Sequence, residues 1–289
     1  MKEFNFYSPT TLDEALNILS EVKGSASVIA GGTDLVMELQ ERAHAVENIV
    51  SIKKIPELKY IRVEDGKVRI GALTTFTELE NHLYIQEHVK SLRYVCEHVG
   101  SPQIRNLGTI GGNVVNASVA GDSPTTFMAL DATVVLQSVR GRREMKLTDF
   151  YAGCPKTQIA GDELMTEIWF DAPTANIATA TTKLGKRKAL VIVVLGLSAL
   201  IERDGDNNIV RAQISIGAVS KKPSRLPELE AYLIGKPVSR ETFAPCAELL
   251  SQTVQKMIPT RASVTYKKES VKGVSDKTFD GILAGFGLS

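Results

Sequence analysis

The residues of this chain best suited to hold a small molecule form two glycine turns. The longer runs Arg105-Asn-Leu-Gly-Thr-Ile-Gly-Gly-Asn113 and continues Val-Val-Asn-Ala-Ser-Val-Ala-Gly-Asp122. Gly108, Gly111, Gly112 and Gly121 allow positive φ and close approach to a ligand. No helical or strand periodicity is visible, so the segment reads as one irregular loop of a length that is usually functional. A plain surface loop rich in turn formers is the simpler alternative. Against it, no charged residue lies between Leu107 and Gly121. The shorter turn is Ala30-Gly-Gly-Thr-Asp-Leu35, directly behind the apolar run Ser27-Val-Ile29. Successive backbone N–H groups in such turns form an anion-binding concavity. Two of them, with hydroxyl and carboxylate neighbours, suit one extended ligand that contains phosphate.

Regular structure must position both turns. Thr11 and Glu14 have capping-box spacing, and Leu12, Ala15, Leu16, Leu19 and Val22 follow at helical intervals up to Gly24. Residues 25–30 read as a buried strand entering Gly31-Gly32, and 48–52 as another. This gives a β-α-β unit with its turn at the carboxyl end of a strand, where open α/β sheets bind ligands. The turn lacks GxGxxG and is not a Rossmann site. Residues 60–63 and 67–71 flank Glu64-Asp-Gly66 as a hairpin. Thr75 and Glu78 repeat the capping-box spacing, and 85–99 predict an amphipathic helix ended by Gly100. Ser123-Pro124 opens a short helix to Leu130, and strands are expected over 132–139, 144–147 and 162–171. A boundary falls near Ala172-Pro173. It divides a ligand-binding domain, 1–172 with subdomains of about 1–55 and 56–172, from a C-terminal domain, 173–289. In the latter, strands 192–202 and 209–219 flank a hairpin over Arg203–Asn208, and helices are expected near 228–234, 240–257 and 276–283. The fold class is α+β.

Composition narrows the function. A net charge of +1 leaves no footprint for nucleic acid or an anionic membrane. Cys96, Cys154 and Cys246 lie far apart without a CxxC pair, which excludes a disulfide framework or usual metal spacing and suits a reducing compartment. Cys96 and Cys154 read as small buried residues, and Trp169 as core. His44, His82, His88 and His98 show no ligand spacing, so no metal site is expected. The longest apolar run, Ala189–Ile201, is shorter than the roughly 20 residues of a membrane span and reads as a buried strand. The first residues lack the apolar stretch of a signal peptide, so a cytoplasmic location is expected.

With both turns placed, the sequence resembles the FAD-binding medium subunits of the molybdenum hydroxylases, the family of xanthine dehydrogenase, carbon monoxide dehydrogenase and nicotinate dehydrogenase. The resemblance spans essentially the whole chain. Ala30–Leu35 matches the first flavin loop, and Arg105–Asn113 with Asn116–Asp122 matches the second. Phe150-Tyr-Ala-Gly153 with Lys156-Thr157, Lys183–Lys188 and Arg225–Glu230 are similar to further family segments. The resemblance implies a two-subdomain FAD-binding fold of the vanillyl-alcohol-oxidase/molybdopterin-dehydrogenase type, followed by an α+β C-terminal domain that closes the flavin-ring side. By motif position, Val28, Ile29, Ala30, Gly31, Gly32, Thr33, Asp34 and Leu35 follow the pyrophosphate and ribityl region. Thr109, Ile110, Gly111, Gly112 and Asn113 supply backbone N–H groups to the diphosphate. Asp122 bonds an FAD hydroxyl, and Val99, Met165 and Lys183 match further contacts. Neither loop is basic, so backbone amides must offset the diphosphate charge. Asp34 beside phosphate would be repulsive and is expected to accept from backbone or a ribityl hydroxyl. A solvated turn is the alternative for Lys183–Lys188.

The resemblance also implies an electron-transfer subunit of an oxidoreductase. A molybdopterin cofactor is expected on a large partner subunit and 2Fe-2S clusters on a small one. Electrons would reach FAD on this chain and leave to NAD(P)+ or another acceptor. Redox chemistry belongs to the cofactor, so no catalytic residue is expected here. Two other readings stay open. A free-standing FAD oxidoreductase of the vanillyl-alcohol-oxidase type usually carries a longer substrate domain than this second half. An accessory protein that has lost flavin would not need intact glycine turns.

Overall fold

The computed structural model describes residues 3–41, 46–151, 157–187 and 192–288. The first unit holds β1 (Asn5–Tyr7), α1 (Leu12–Val22), β2 (Ala26–Ile29), α2 (Leu35–Gln40) and β3 (Asn48–Ser51). Its strands form a parallel sheet in the order β1-β3-β2. Helix α1 starts at the expected cap: Thr11 Oγ1 accepts from the Glu14 amide at 3.3 Å. The Glu14 carboxylate reaches the Thr10 amide at 2.8 Å, one residue earlier than a standard box. Ala15, Leu16 and Leu19 bury against Val50, Ile52, Leu58 and Leu73. This leaves the carboxyl end of β2 free to run into Gly31.

The second unit holds β4 (Ile61–Glu64), β5 (Lys67–Gly71), α3 (Phe76–Asn81), α4 (Leu83–His88), α5 (Lys90–His98), α6 (Pro102–Leu107), α7 (Ile110–Asn116), α8 (Asp122–Ala129), β6 (Thr133–Ser138), β7 (Gly141–Lys146), α9 (Leu147–Phe150) and β8 (Leu164–Asp171). Its antiparallel sheet has the order β4-β5-β8-β6-β7. Val68, Ile70, Val134, Leu136, Ile168 and Phe170 point from the sheet into a core shared with Leu79, Leu92, Val95, Ile110, Val114 and Phe127. The expected helix 85–99 breaks at Val89, which leaves helical geometry at φ −124, ψ 62. Trp169 is not core. It alternates with Ile168 and Phe170 along β8 and so faces outward. There it lies half-buried with Lys67 Nζ 3.9 Å from its ring centroid.

The stretch 105–122 is a correction to the sequence reading. It is not an irregular loop: it contains the end of α6, all of α7 and the start of α8. Helices α6 and α7 are each set by a side-chain cap. Ser101 Oγ accepts from the Ile104 amide at 3.2 Å, and Thr109 Oγ1 from the Gly112 amide at 3.1 Å. Two adjacent glycines disfavour a helix by about 1 kcal/mol each. Tertiary contacts override that: Ile110 and Val114 are fully buried, and Ala117 ends α7 in the left-handed region at φ 52.

The third unit holds β9 (Ile177–Leu184), β10 (Leu195–Arg203), β11 (Ile209–Gly217), β12 (Ser224–Arg225), α10 (Pro227–Leu233), α11 (Arg240–Phe243), α12 (Cys246–Met257) and α13 (Val264–Gly285). The antiparallel sheet has the order β12-β11-β10-β9. The expected helix 240–257 is split at Pro245, which has no amide to continue the ladder. The last helix is longer than expected, spanning 22 residues. Its polar and glycine positions hide the period, yet Gly281 and Gly285 serve close packing. A Cβ on either would stand 2.9 Å from Ala180 Cβ or Ala178 Cβ of β9. The Ala- and Thr-rich β9 itself escaped prediction. The expected strand from 192 begins at Leu195, and Ile192 is 78% exposed.

The other face of this sheet meets α5 and α8. Thr126, Thr181 and Ser198 join their hydroxyls there, at 2.7 to 3.1 Å. Cys96 is buried as expected, whereas Cys154 and His44 lie outside the described residues. Among the described residues, no helix is long and apolar enough to cross a membrane, and no cluster of metal-ligating side chains occurs.

Candidate functional site

The two glycine turns meet. A Cβ on Gly31 would stand 1.9 Å from the carbonyl oxygen of Leu107, so no side chain fits there. Gly32, at φ +74, bends the chain from β2 toward α2. Between the turns lies a cavity of about 520 Å³, within the roughly 300–1,000 Å³ of small-molecule sites. Val28, Ile29, Ala30, Gly31, Gly32, Thr33, Asp34 and Leu35 all line it, as do Val99, Thr109, Gly111, Gly112, Asn113 and Met165. Ile110 does not; it points into the core. Sequence reasoning missed Ile104, Val115, Asn116, Ile159, Glu163 and Leu164. Leu164 and Glu163 precede Met165 directly, and that adjacency was the available signal.

The amides of Gly31, Gly32, Thr33 and Asp34 donate to no group among the described residues. No Lys or Arg lines the cavity among those residues. This is an anion cradle without cations. The second turn is different. Ile110 N donates to Thr74 O and Gly111 N to Ala72 O, each at 2.9 Å. Gly112 N donates to Thr109 Oγ1 at 3.1 Å and Asn113 N to Thr109 O at 3.0 Å. Four of the five amides expected to face a diphosphate are therefore already engaged. The reason is that the segment is helical and tied to residues 72–74. Its glycines give close approach, and the free donors lie on the first turn.

Asp122 and Lys183 do not line this cavity. They face each other across the seam between α8 and β9, with Lys183 Nζ 2.6 Å from Asp122 Oδ2. Burial raises the Asp122 carboxyl above its ordinary value, opposed by the Lys183 charge. Lys183 Nζ also donates to His98 O at 3.0 Å, one residue before Val99. Arg105, paired with Glu80 at 3.1 Å, reaches the Val99 carbonyl at 3.4 Å. Two cations thus hold the backbone that presents Val99 to the cavity. Tyr151 is a further support. Its hydroxyl donates to Val114 O in α7 at 3.0 Å, and its own carbonyl accepts from Lys222 Nζ of the third unit at 2.9 Å.

Fold and cleft together define a cofactor-binding protein: two subdomains line one cleft with phosphate-ready amides, and an α+β domain packs against the second. Residues 2–171 match the family described as FAD binding domain in molybdopterin dehydrogenase, and residues 180–281 match the CO dehydrogenase flavoprotein C-terminal domain. The chain belongs to this family of FAD-binding subunits. The nicotinate dehydrogenase FAD-subunit of Eubacterium barkeri is 46% identical over 287 residues, covering 98% of this chain and 97% of that protein. The glyceraldehyde dehydrogenase medium chain of Sulfolobus acidocaldarius is 31% identical, covering 96% and 97%. A solved chain of carbon monoxide dehydrogenase from Hydrogenophaga pseudoflava shares the fold at a TM-score of 0.90 and 27% identity, over 98% of each chain. The cofactor is FAD, and the protein is an FAD-binding oxidoreductase subunit of the molybdenum-hydroxylase type. The cleft fits that group: the Gly31–Asp34 amides, without partners among the described residues, match a diphosphate, and an apolar wall of Val28, Ile29, Leu35, Val99 and Met165 matches its rings.

Proposed function

We propose that this chain is the electron-relay medium subunit of a molybdenum hydroxylase. A small subunit with 2Fe-2S clusters would deliver electrons, and a large subunit with the molybdopterin cofactor would hydroxylate the substrate. NAD(P)+ or another acceptor would take the electrons onward. A cytoplasmic setting and a functional division near residue 172 belong to the same proposal. The observation that carries it is the run of amides from Gly31 to Asp34 that, among the described residues, find no partner and border a cleft lined by no Lys or Arg. The relatives' printed names, including FAD-subunit and medium chain, support it.

Bound FAD supplies the electron-carrying chemistry. The Gly31–Asp34 amides would hold its diphosphate, donors already in place along the cleft. Thr33 and Thr109 add hydroxyl donors, with Thr109 Oγ1 already accepting from Gly112. Asp122 lies outside this cavity, paired with Lys183 at the α8–β9 seam, so its proposed bond to an FAD hydroxyl requires the cofactor to extend to that seam. The apolar wall excludes water. No side chain has to act as acid, base or nucleophile.

Purification tests this reading. A yellow protein with a flavin spectrum and about one FAD per chain is expected. A colourless protein that cannot be reconstituted would favour the accessory reading. Copurification with molybdenum- and iron–sulfur-containing subunits separates the relay from a free-standing oxidoreductase.

A further inference from the structure

Glu163 is the buried carboxylate of the cleft wall. Its side chain is 5% exposed, and it lies immediately before Leu164 and Met165, which line the same wall. Asp34 and Glu38 also border the cleft, but Asp34 is exposed and Glu38 half-buried. No Lys or Arg among the described residues lines the cleft, so an ionised carboxylate in its wall repels a diphosphate, and the repulsion grows as water is excluded. Arg143 answers that charge from outside the cavity. It rises from β7 and grips Glu163 with two parallel bonds, Nε to Oε1 at 2.6 Å and Nη2 to Oε2 at 2.8 Å. Nη2 also donates to Gln158 O at 2.7 Å, and the Ala160 amide donates to Glu163 Oε2 at 2.7 Å.

We infer that Arg143 is a positioning residue that makes the cleft admissible to a phosphate-bearing cofactor by neutralising Glu163 within its wall. The inference rests on the FAD reading of the cleft. Arg143 touches no cofactor; it acts through Glu163 and through the segment 158–163 that it ties to β7. Hydrogen bonds from Arg143 hold the Glu163 carboxyl below its ordinary value, so the wall keeps a paired charge at neutral pH.

The test is a fluorescence titration of the flavin-depleted full chain with FAD. Wild type, Arg143→Ala, Arg143→Lys and the double variant Arg143→Ala/Glu163→Gln are compared, with circular dichroism as the folding check. Arg143→Ala is expected to weaken FAD binding more than about tenfold, and the double variant to recover most of that loss. Arg143→Lys keeps the charge but loses the two-pronged grip, and is expected to stay within about tenfold of wild type. A single alanine variant that binds FAD like wild type overturns the inference. So does a double variant as weak as the single one, because a purely structural staple would not be rescued by removing charge. Should Arg143→Ala not fold, a loss beyond tenfold in Arg143→Lys overturns it. Wild type that takes up no FAD would overturn the reading of the cleft as well.

Discussion

Gly31 lies directly on the carbonyl oxygen of Leu107, at a distance that leaves no room for a Cβ. This one backbone contact joins the first glycine turn to the second and sets the width of the cleft between them. Gly31→Ala is expected to force the turns apart and cut FAD affinity by about a hundredfold or more. Absorbance at the flavin bands of the purified variant checks this. Stoichiometric flavin in Gly31→Ala would contradict the assignment of the cleft.

Gly111 and Gly112 are neighbours with unequal demands. A Cβ on Gly111 would stand 2.6 Å from Ala72 Cβ and 2.8 Å from Ala72 O, which is backbone and cannot turn aside. On Gly112 it would meet the Thr109 hydroxyl at 2.9 Å, and that group can rotate. Gly111→Val is therefore expected to abolish FAD binding, while Gly112→Ala weakens it only several-fold. The third unit should stay folded in both, as read by its unfolding transition. Equal losses in the two variants would refute the distinction.

The Lys183–Asp122 pair crosses the seam between α8 and β9 with both side chains largely shielded from water. Lys183→Met leaves Asp122 buried without its cation, at a cost of about 3 kcal/mol or more. The double variant Lys183→Met/Asp122→Asn is expected to be less destabilised than that single variant. Denaturant melts of the three proteins measure the coupling. Strict additivity would mean the pair does not stabilise the seam.

Tyr151→Phe removes the bond to Val114 O and keeps the ring. The expected loss is about 1 kcal/mol, or roughly 2–4 °C in Tm for a protein of this size class. Because α7 carries Gly111 and Gly112, FAD affinity should fall a few-fold with it. An unchanged Tm together with unchanged FAD affinity would show that the bond is dispensable.

His82 has Nδ1 buried with no partner among the described residues, and burial lowers its pKa below the ordinary 6.5. As pH falls through 6.5 the unfolded chain gains the proton before the folded one does. Stability is thus fully present above that value and declines below it. The drop in Tm between about pH 7.5 and pH 5.5 should be smaller in His82→Gln than in wild type. An identical pH dependence would assign the titration to another group.

Most of the positions nominated from sequence line the cleft, whereas Ile110, Asp122 and Lys183 do not. Every residue from Val28 to Leu35 lines the cleft, as do Thr109, Gly111, Gly112, Asn113, Val99 and Met165. Glycine turns, capping residues and hairpin spacing are written locally, because the conformations they permit depend on one or two residues. The resemblance then carried the fold across the whole chain. Tertiary structure decided what those residues are free to do. The amides of 110–113 were legible as donors, but the carbonyls of Ala72 and Thr74 that occupy two of them come from another part of the fold. The helicity of 105–122 was hidden because its glycines oppose it, and only burial of Ile110 and Val114 overrides them. Strand β9 was illegible until α13 laid Gly281 and Gly285 on its alanines. Asp122 and Lys183 could each be nominated alone, and only their approach to 2.6 Å made them a pair. Hydrogen-bond and charge partners depend on groups distant in sequence, so only the folded chain assigns them.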